Sequence, residues 1–343
     1  MDRLTPERAG AILERAGDAR VVVVGDLMLD QYLTGLVDRI SPEAPVPVVR
    51  VEEESFAVGG AANVAHNVVA LGGRCQVVGV LGTDPGGDLL RRALEVRGIG
   101  PAGRVATRAR PTPGKTRVRA RRQQVVRFDR ERDEDVSDDL ARALAGAVED
   151  LAADADALVM EDYNKGVLVP SVIRAVVDAA AARGLPTVVD PKRLRFWEYG
   201  GVTVFKPNAK ELADALGEPL RPDDPDWMEE VRRRLSSRHL LLTLGERGLA
   251  LRTETGESLR IPAVARSVYD VSGAGDTVTA VVAIALAAGA TPVEAAILAN
   301  HAAALEVAKT GVATVSRREI LDQHRAFHGP PAPTPRMTED IPT

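Results

Sequence analysis

Short, continuous apolar runs alternate with helical segments along most of this chain, and this alternation constrains the fold more than any other feature. The first run, RVVVVG, covers residues 20–25, and a second covers residues 76–81. Uninterrupted runs are typical of strands buried on both faces, as in a parallel sheet. Later strands are predicted at 157–160, 187–190, 203–205 and 239–244, with a hairpin across 248–261 and helices between them. The sequence therefore predicts an α/β fold with a mainly parallel central sheet between layers of helices.

Two β-rich segments, at about residues 31–56 and 105–130, interrupt the alternation. The first is predicted as loop and short extended pieces, with an edge strand at VPVVRVEEE (46–54), because prolines are confined to strand edges. In the second, every other residue from Lys115 to Arg121 is basic, which predicts a strand with one basic face. Together the segments are predicted to form a small β lid beside the carboxyl ends of the parallel strands, where open α/β sheets bind ligands.

The composition argues against several classes of protein. The 343 residues carry 44 basic and 49 acidic side chains, and only 3% are aromatic, which disfavours nucleic-acid binding. The single cysteine, Cys75, excludes a disulfide framework and suits the reducing cytoplasm. The N-terminus lacks the apolar stretch of a signal peptide, and the most apolar run, 278–288, is too short to span a bilayer. We therefore expect a cytoplasmic protein that binds neither nucleic acid nor membrane.

The strongest local motif is DVSGAGD at residues 270–276, which leads directly into an apolar helix. Gly273 and Gly275 let a ligand approach the backbone closely, and the first N–H groups of the helix form an anion site. The helix dipole should stabilise the Asp276 carboxylate and leave it a weak base at rest. The plain alternative is an ordinary glycine-rich helix entry with a capping aspartate. The motif lacks the last glycine of a dinucleotide fingerprint, which disfavours a dehydrogenase.

Two other segments each allow a structural and a functional interpretation. KPNAKEL, at 206–212, is either a helix start with Asn208 and Glu211 in a capping box, or a site for nucleotide phosphates and Mg²⁺. TLGERG, at 243–248, is either a turn into a hairpin or a loop approached by phosphates. PGKT at 113–116 is not a Walker motif, because Ala109 stands where the first glycine is needed.

Polar residues follow several predicted strands at the end where a parallel sheet meets its ligand. Asp26 and Asp30 follow the first strand, and later strand ends carry Asp162 with Lys165 and Asp190 with Lys192. GGAAN, at 59–63, opens a helix with small residues and an asparagine that can bind sugar hydroxyls. The alternative at each place is a solvated loop. The basic face at 115–121 is either a solvated edge or a site for a phosphorylated small molecule.

Four of these pieces, in this order, resemble the ribokinase-like (PfkB-type) carbohydrate kinase family: GGAANVAHNVVALG (59–72), KPNAKE (206–211), TLGERG (243–248) and DVSGAGDT (270–277). The similarity covers roughly residues 18–320. RISPEAPVPVVRVE (39–52), KTRVRARRQQVVRFD (115–129), EDYNKG (161–166) and DPK (190–192) look like family members that phosphorylate a heptose 7-phosphate. Glu161 departs from the more usual serine, and Arg193 from a glycine.

The resemblance implies a ribokinase-like three-layer α/β/α domain over residues 1–322, with the β lid. Residues 323–343 are Pro-rich and are predicted to be a disordered tail. Because no nucleotidyltransferase motif follows, we expect the stand-alone kinase form. The resemblance also implies a homodimer formed through the lids. It implies that ATP and Mg²⁺ are required, together with a possible monovalent cation such as K⁺.

By family position, each motif acquires an expected role. Asp276 is the expected base, and the N–H groups of Gly273, Ala274 and Gly275 stabilise the transferring phosphoryl group. The nucleotide and its Mg²⁺ are expected at Asn208, Ala209, Lys210, Glu211, Thr243, Gly245, Glu246 and Gly248, with Glu211 holding the ion through water. The acceptor sugar is expected at Asp30, Gly59, Gly60, Asn63 and Asp162, and its phosphate at Lys115, Arg117, Lys165 and Lys192. Asp270 is expected to order a monovalent-cation loop.

Two alternatives remain open at this point. One is a ribokinase-like kinase of another sugar or sugar phosphate, such as ribose or a fructose phosphate. The other is a catalytically silent sugar-phosphate sensor on the same fold, which the intact GAGD motif and the paired Asn208 and Glu211 disfavour.

Overall fold

A nine-stranded sheet forms the centre of the computed structural model, which describes residues 3–121, 123–265 and 268–328. In spatial order the strands are β13, β12, β11, β10, β9, β8, β1, β4 and β5. All neighbouring strands pair in parallel except β11 with β12 and β12 with β13, and the last two strands form the predicted hairpin at one edge. The strands are β1 (Arg20–Gly25), β4 (Arg74–Gly82), β5 (Arg104–Thr107), β8 (Ala157–Glu161), β9 (Thr187–Asp190), β10 (Val204–Phe205), β11 (His239–Thr243), β12 (Leu249–Arg252) and β13 (Ser258–Ile261).

Helices cover both faces of this sheet, as the continuous apolar runs predict. In β1, Val21 and Val23 belong to one hydrophobic core, and Val22 and Val24 belong to the core on the opposite face. The helices are α1 (Pro6–Ala16), α2 (Ala61–Ala70), α3 (Pro85–Val96), α4 (Asp138–Ala152), α5 (Pro170–Arg183), α6 (Ala209–Leu216), α7 (Pro225–Arg234), α8 (Ala274–Ala287), α9 (Pro292–Glu306) and α10 (Arg317–His328). The three-layer α/β/α architecture is therefore confirmed. Among the described helices, none is long and apolar enough to cross a membrane.

A second, four-stranded sheet forms the β lid, in the order β3, β2, β6 and β7. Its strands are β2 (Leu27–Ile40), β3 (Pro47–Gly60), β6 (Gly114–Ala120) and β7 (Gln123–Arg130). Because β2 starts two residues after β1 ends, the lid stands over the carboxyl ends of the central strands. The basic strand at 115–120 pairs in parallel with β2 and antiparallel with β7.

Two details of the predicted lid were wrong. Residues 30–55 are not mainly loop, because β2 and β3 are 14-residue strands paired from Leu27 and Gly60 to Ile40 and Pro47. Their outer halves are exposed and lack an apolar alternation, so backbone pairing rather than a core face holds them together. Residues 104–107 are not part of the lid, since β5 pairs with β4 in the central sheet.

The predicted disordered tail starts too early. Helix α10 continues through His328, and His324 is buried, with its ring 3.1 Å from the ring of His301 and from the Leu4 carbonyl oxygen. The prolines that indicate disorder occur only from residue 330 onward. The rest of that prediction, residues 329–343, lies outside the described residues.

Candidate active site

Asp276 lies in the first turn of α8, beside the carboxyl ends of the central strands. Asn63 Nδ2 donates a hydrogen bond to its Oδ2 at 2.7 Å, and the Tyr163 hydroxyl donates to its Oδ1 at 3.0 Å. Gly273 begins the helix with φ of 96°, where a Cβ would lie 3.1 Å from Asn63 Nδ2. The N–H groups of Gly275 and Asp276 have no backbone acceptor among the described residues, so they are available to an anion.

Asp276 is a stronger base than the helix dipole alone would make it. Burial raises its pKa to about 6, and the nearby Asp190 carboxylate acts in the same direction, against the lowering effects of Asn63, Tyr163 and Lys206. The expectation of a weak base at rest considered only the helix dipole, whereas the loss of hydration on burial favours the protonated form. A carboxylate with this pKa is still mostly ionised at neutral pH and accepts a proton more readily than an exposed aspartate.

Glu161 and Asp190 lie next to Asp276, and oxygen atoms of the three carboxyl groups are within 4.8 Å of one another. Lys206 is buried among them and forms an ion pair with Asp190 at 2.8 Å. Glu161 is fully buried, and neither of its oxygens has a hydrogen-bond partner among the described residues. Burial, followed by the charges of Asp190 and Asp276, raises the pKa of Glu161 well above its usual range. A neutral Glu161 limits the negative charge that Lys206 must balance.

The predicted sugar-binding residues Asp30, Gly59, Gly60 and Asn63 are brought together where the lid joins α2. Asp30 lies on β2 and forms an ion pair with Arg117 of β6. Gly59 is on the paired strand, and a Cβ there would lie 2.6 Å from Asp30 Oδ2, so a larger residue would displace this carboxylate from its position. Gly60 directly precedes α2, which carries Asn63. The start of α2 therefore lies between the lid carboxylate of Asp30 and Asp276, the expected base.

Two of the predicted phosphate-binding lysines approach the two oxygens of one carboxylate, that of Glu131. Lys165 Nζ lies 2.9 Å from Glu131 Oε1 and 2.7 Å from Asp133 Oδ1, and Lys115 Nζ lies 4.0 Å from Glu131 Oε2. Lys115 belongs to the lid and Lys165 to the loop after β8. Burial lowers the pKa of Lys115, and the Glu131 charge opposes that effect. The structure thus places a lid cation and a cation of the main domain in one cluster.

Lys192 is not part of that cluster. Its Nζ forms an ion pair with Glu211, the predicted magnesium-holding residue. Burial alone would lower the pKa of Lys192, but Asp190 and Glu211 together raise it. Lys192 therefore lies on the predicted nucleotide side of the site, and its role toward the acceptor phosphate stays a prediction.

The structural interpretation of the KPNAKEL segment is confirmed. The Glu211 N–H donates to Asn208 Oδ1 at 2.8 Å, and the Asn208 N–H donates to Glu211 Oε2 at 2.8 Å, which is a complete capping box at the start of α6. Ala209 packs against the hydrophobic core. Lys210 is not brought into the site, because it is 82% exposed and pairs with Asp214 on the outer face of the helix.

The second predicted nucleotide segment lies beside the capping box. The Thr243 N–H donates to the Pro207 carbonyl oxygen at 3.0 Å, which places the end of β11 against the start of α6. Gly245–Arg247 form a 3₁₀ turn, and Gly248 leads into β12, so the hairpin-turn interpretation is confirmed. Glu246, in that turn, is exposed. Whether this loop also borders a nucleotide stays a prediction.

Two aspartates at strand ends accept hydrogen bonds from backbone N–H groups of the loop that follows β8. Asp26 accepts hydrogen bonds from the N–H groups of Tyr163 at 2.8 Å and Lys165 at 2.9 Å. Asp162 accepts from the Asn164 N–H and from the Tyr199 hydroxyl, both at 2.7 Å. Asp162 was predicted to bind the sugar, and the oxygens that would do so are already engaged within the protein.

Asp270 lies in the loop before α8, where its Oδ1 accepts a hydrogen bond from the Ser272 N–H at 2.9 Å. The nearby Glu306 is fully buried, and neither carboxylate oxygen has a hydrogen-bond partner of standard geometry among the described residues. Burial raises the pKa of Glu306 to about 8 against the lowering effect of the Ala313 N–H, and the charge of Asp270 adds to the increase. A Cβ at Gly273 would lie 3.4 Å from Glu306 Oε1, so this carboxyl group borders the glycine-rich entry.

Sequence reasoning missed Tyr163 and Glu131. Tyr163 lies inside the quoted motif EDYNKG, directly after Asp162 at a strand end, and its hydroxyl reaches the predicted base. Glu131 directly follows the lid strand β7, and its negative charge matches the basic strand beside it. A hydroxyl at a strand end and an acid next to a basic strand were the available signals.

The fold is also found in solved structures of low sequence identity. Ribokinase from Arabidopsis thaliana, solved with ribose and ATP, superposes with a TM-score of 0.70 at 22% identity, covering 89% of this chain and 98% of that one. Phosphofructokinase-2 from Escherichia coli, solved with potassium, gives a TM-score of 0.75 at 19% identity, covering 91% and 100% of the two chains. These similarities confirm the ribokinase-like fold.

The comparison with family models identifies the class of this protein as carbohydrate kinase, and the buried Asp276 at a glycine-rich helix entry lies within the matched region. The model of the "pfkB family carbohydrate kinase" matches residues 18–319, and this chain belongs to that family. It is 44% identical over 318 residues to "Bifunctional protein HldE" of Citrifermentans bemidjiense and 45% identical over 318 residues to that of Azorhizobium caulinodans. Each alignment covers 91% of this chain, but the chain spans only 64% and 66% of those relatives.

Proposed function

We propose that this carbohydrate kinase transfers the γ-phosphoryl group of ATP to the C1 hydroxyl of D-glycero-β-D-manno-heptose 7-phosphate, giving the 1,7-bisphosphate. The observation that carries the proposal is the cluster of Lys115 and Lys165 at the rim of the site that holds Asp276. Both lysines meet at Glu131, and Lys165 also pairs with Asp133, so the phosphate of an acceptor would exchange with these carboxylates for cations from both the lid and the main domain. The similarity to HldE proteins and the motifs shared with heptose 7-phosphate kinases support the same acceptor, and with it a role in ADP-heptose formation.

The proposed transfer needs one proton acceptor and one site for the transferring group. As the C1 oxygen bonds to the γ-phosphorus, the bond to the oxygen shared with the β-phosphate breaks and ADP leaves. The C1 hydroxyl proton passes to the carboxylate of Asp276. The backbone N–H groups of Gly273 and Gly275 stabilise the charge that spreads over the phosphoryl oxygens. The Ala274 N–H, which donates to the Val271 carbonyl oxygen at 3.4 Å, would join them only after leaving that acceptor. The lid limits the access of water, which favours the sugar hydroxyl over hydrolysis.

The residues present suit a nucleotide with a divalent and a monovalent cation. Mg²⁺, when bound, neutralises charge on the phosphates, and Glu211 would hold it through water beside Asn208. Oxygen is the donor that Mg²⁺ prefers. Glu211 Oε2 accepts from the Asn208 N–H and Oε1 pairs with Lys192, so contact through water, not direct ligation, is the role that suits this carboxylate. The Asp270 loop suits K⁺, because the buried carboxyl group of Glu306 beside it adds oxygen donors to those of the loop. Thr243, Gly245 and Gly248 would border the nucleotide.

We further propose that two subunits associate through their lids. Outer strands β3 and β7 each pair with only one neighbour among the described strands and so leave a free edge. Large apolar side chains are exposed on the lid: Val37, Ile40, Val46, Val51, Val126 and Phe128. A two-fold pairing of lids would cover both features and is the simplest closed assembly. We place this enzyme in the cytoplasm, where ATP is available and Cys75 stays reduced.

A panel of acceptors tests the proposed function. Heptose 7-phosphate, unphosphorylated heptose, ribose, fructose 1-phosphate and fructose 6-phosphate are each incubated with ATP and Mg²⁺, and ADP formation is followed. We expect the highest kcat/KM for heptose 7-phosphate, with phosphate added at C1. A higher value for another sugar would identify a different kinase. Tight binding of a sugar phosphate without ADP formation would indicate the sensor.

A further inference from the structure

We propose that Tyr163 is a positioning residue for the base: its hydroxyl holds the Asp276 carboxylate in the orientation and protonation state that the transfer needs. The proposal rests on the proposed function in one respect, that Asp276 is the base. The Tyr163 hydroxyl donates to Asp276 Oδ1 at 3.0 Å, while Asn63 holds the other oxygen, Oδ2, at 2.7 Å. With a donor on each oxygen, the carboxylate is restrained at both ends.

The backbone of Tyr163 is held independently of this contact. Its N–H donates to Asp26 Oδ2 at 2.8 Å, and the N–H of Lys165 donates to the same oxygen at 2.9 Å. Asp26 directly follows β1 and is itself buried, so the loop that carries the tyrosine is tied to the central sheet. The hydroxyl is therefore aimed at Asp276 by a rigid part of the fold, which is what precise positioning of a base requires.

The tyrosine acts as a hydrogen-bond donor only. Burial, followed by the charge of Asp276, raises the pKa of its hydroxyl well above the usual range, so the proton stays on the oxygen. During the transfer the acceptor proton goes to a free lone pair of the Asp276 carboxylate. Tyr163 keeps its own proton throughout and changes only the readiness of Asp276 to accept one.

The charged groups around Asp276 determine the direction of the effect. Besides Tyr163 and Asn63, the carboxylate faces Asp190 and Lys206, and Glu161 lies within the same cluster. Glu306 also lies close enough for its pKa to be affected by Asp276. The replacement Tyr163→Phe leaves all of these charged and polar groups in the protein. Because a hydrogen bond to the ionised form favours that form, its removal raises the pKa of Asp276 above about 6.

The ring of Tyr163 also contacts the two lysines nearest to it. Lys192 Nζ lies 5.0 Å and Lys115 Nζ 5.8 Å from the ring centroid, both within the range of cation–π attraction. Lys115 comes from the lid and Lys192 from the loop after β9. A phenylalanine at 163 keeps the ring and these contacts, so it isolates the contribution of the hydroxyl.

The test compares Tyr163→Phe with Tyr199→Phe. Tyr199 is also buried and its hydroxyl also donates to an aspartate, Asp162, at 2.7 Å, but it does not contact Asp276. With heptose 7-phosphate, ATP and Mg²⁺, we expect Tyr163→Phe to lower kcat roughly 10-fold with little change in the acceptor KM. The acid limb of its kcat/KM profile should move up by roughly 0.5–1 pH unit. Tyr199→Phe should leave that limb in place. If Tyr163→Phe has the kcat of wild type and the acid limb of its kcat/KM profile does not move, the proposal is overturned.

Two further measurements separate this proposal from the base assignment. In an Asp276→Asn background, Tyr163→Phe should have little additional effect on kcat, because the group it acts through is already gone. Additive losses would contradict the proposal. If Asp276→Asn is nearly as active as wild type, the base assignment fails instead.

The pKa of Asp276 can also be measured directly, without any acceptor sugar. This measurement tests the role of Tyr163 even if heptose 7-phosphate is not the substrate, and it includes a second variant in case Tyr163→Phe folds poorly. The enzyme is labelled with carboxyl-¹³C aspartate, the Asp276 signal is identified by its loss in Asp276→Asn, and its pKa is measured by titration. Tyr163→Phe should raise that pKa, and 3-fluorotyrosine at position 163, a stronger donor of nearly the same size, should lower it. The same pKa in all three proteins would overturn the role of Tyr163.

Discussion

Asn63 donates a hydrogen bond of 2.7 Å to Asp276 across 213 residues of sequence, and this contact joins α2, the helix that follows the lid, to α8, the helix that carries the proposed base. Both side chains are almost completely buried. A sugar bound between the lid and α2 would therefore meet the Asp276 carboxylate directly.

Replacement of the base is the first prediction. Asp276→Asn preserves the shape of the side chain but removes the proton acceptor, so kcat should fall by roughly 10²–10⁴ while ATP binding changes little. The exposed Asp214, which pairs with Lys210 on the outside of α6, provides a control, and Asp214→Asn should stay fully active. Activity of Asp276→Asn within a few-fold of wild type would rule out this role.

The wild-type pH profile is the second prediction. The pKa of Asp276 is raised to about 6, and only its ionised form accepts a proton. The kcat/KM value should therefore fall as the pH drops through about 6, and it should be nearly constant from pH 7 to 8. Steady-state rates with ATP in excess measure this. A profile that is flat down to pH 4.5 would show that Asp276 titrates like an exposed aspartate.

Charge selectivity toward the acceptor is the third prediction. Lys115→Met should lower kcat/KM for heptose 7-phosphate, and so should Lys165→Met. Each replacement removes a proposed charge-assisted contact to the phosphate, which corresponds to a loss of about 1.5–3 kcal/mol in transition-state stabilisation. Unphosphorylated heptose should be affected much less. Lys210→Met, at an exposed position, is the control. Equal losses for the two sugars would mean that the lysines support the lid and do not recognise the phosphate.

The buried Glu161 gives a prediction about stability. Because its pKa is raised in the folded state, unfolding allows it to ionise, and the protein loses stability as the pH rises above the unfolded value of about 4.5. Glu161→Gln should therefore raise the Tm by a few degrees at pH 8, where ~1 kcal/mol corresponds to about 2–4 °C. The gain should largely disappear near pH 4. Glu246→Gln, at an exposed position, should change the Tm at neither pH. A Tm of Glu161→Gln below wild type at pH 8 would contradict the assignment of a neutral buried acid.

Assembly through the lid is the last prediction. Light scattering at micromolar concentration should report about twice the chain mass of 36.5 kDa, with or without residues 329–343. The double variant Ile40→Lys, Val126→Lys places charge on exposed apolar positions of the lid and should be monomeric. Val96→Lys changes an even more exposed valine on α3 and should stay dimeric. A fully active monomeric wild type, or a dimer that survives the lid substitutions, would exclude this interface.

The sequence by itself determined the fold class and the main motifs of the site. Apolar runs such as Val21–Val24 are local, and their burial on both faces needs only a sheet between two layers of helices. The capping box of Asn208 and Glu211 is also local, since its partners are three residues apart. Features of this kind can be predicted because the residues that interact are close together in the chain.

The tertiary structure decided what the sequence pattern left open. The pKa of Asp276 depends on burial and on groups brought from four other parts of the chain: Asn63, Tyr163, Asp190 and Lys206. Lys192 pairs with Glu211 while Lys115 and Lys165 meet at Glu131, although all three lysines look alike in the sequence. Electrostatic energies depend on distance and hydration in the folded protein, and neither quantity is contained in the order of the residues.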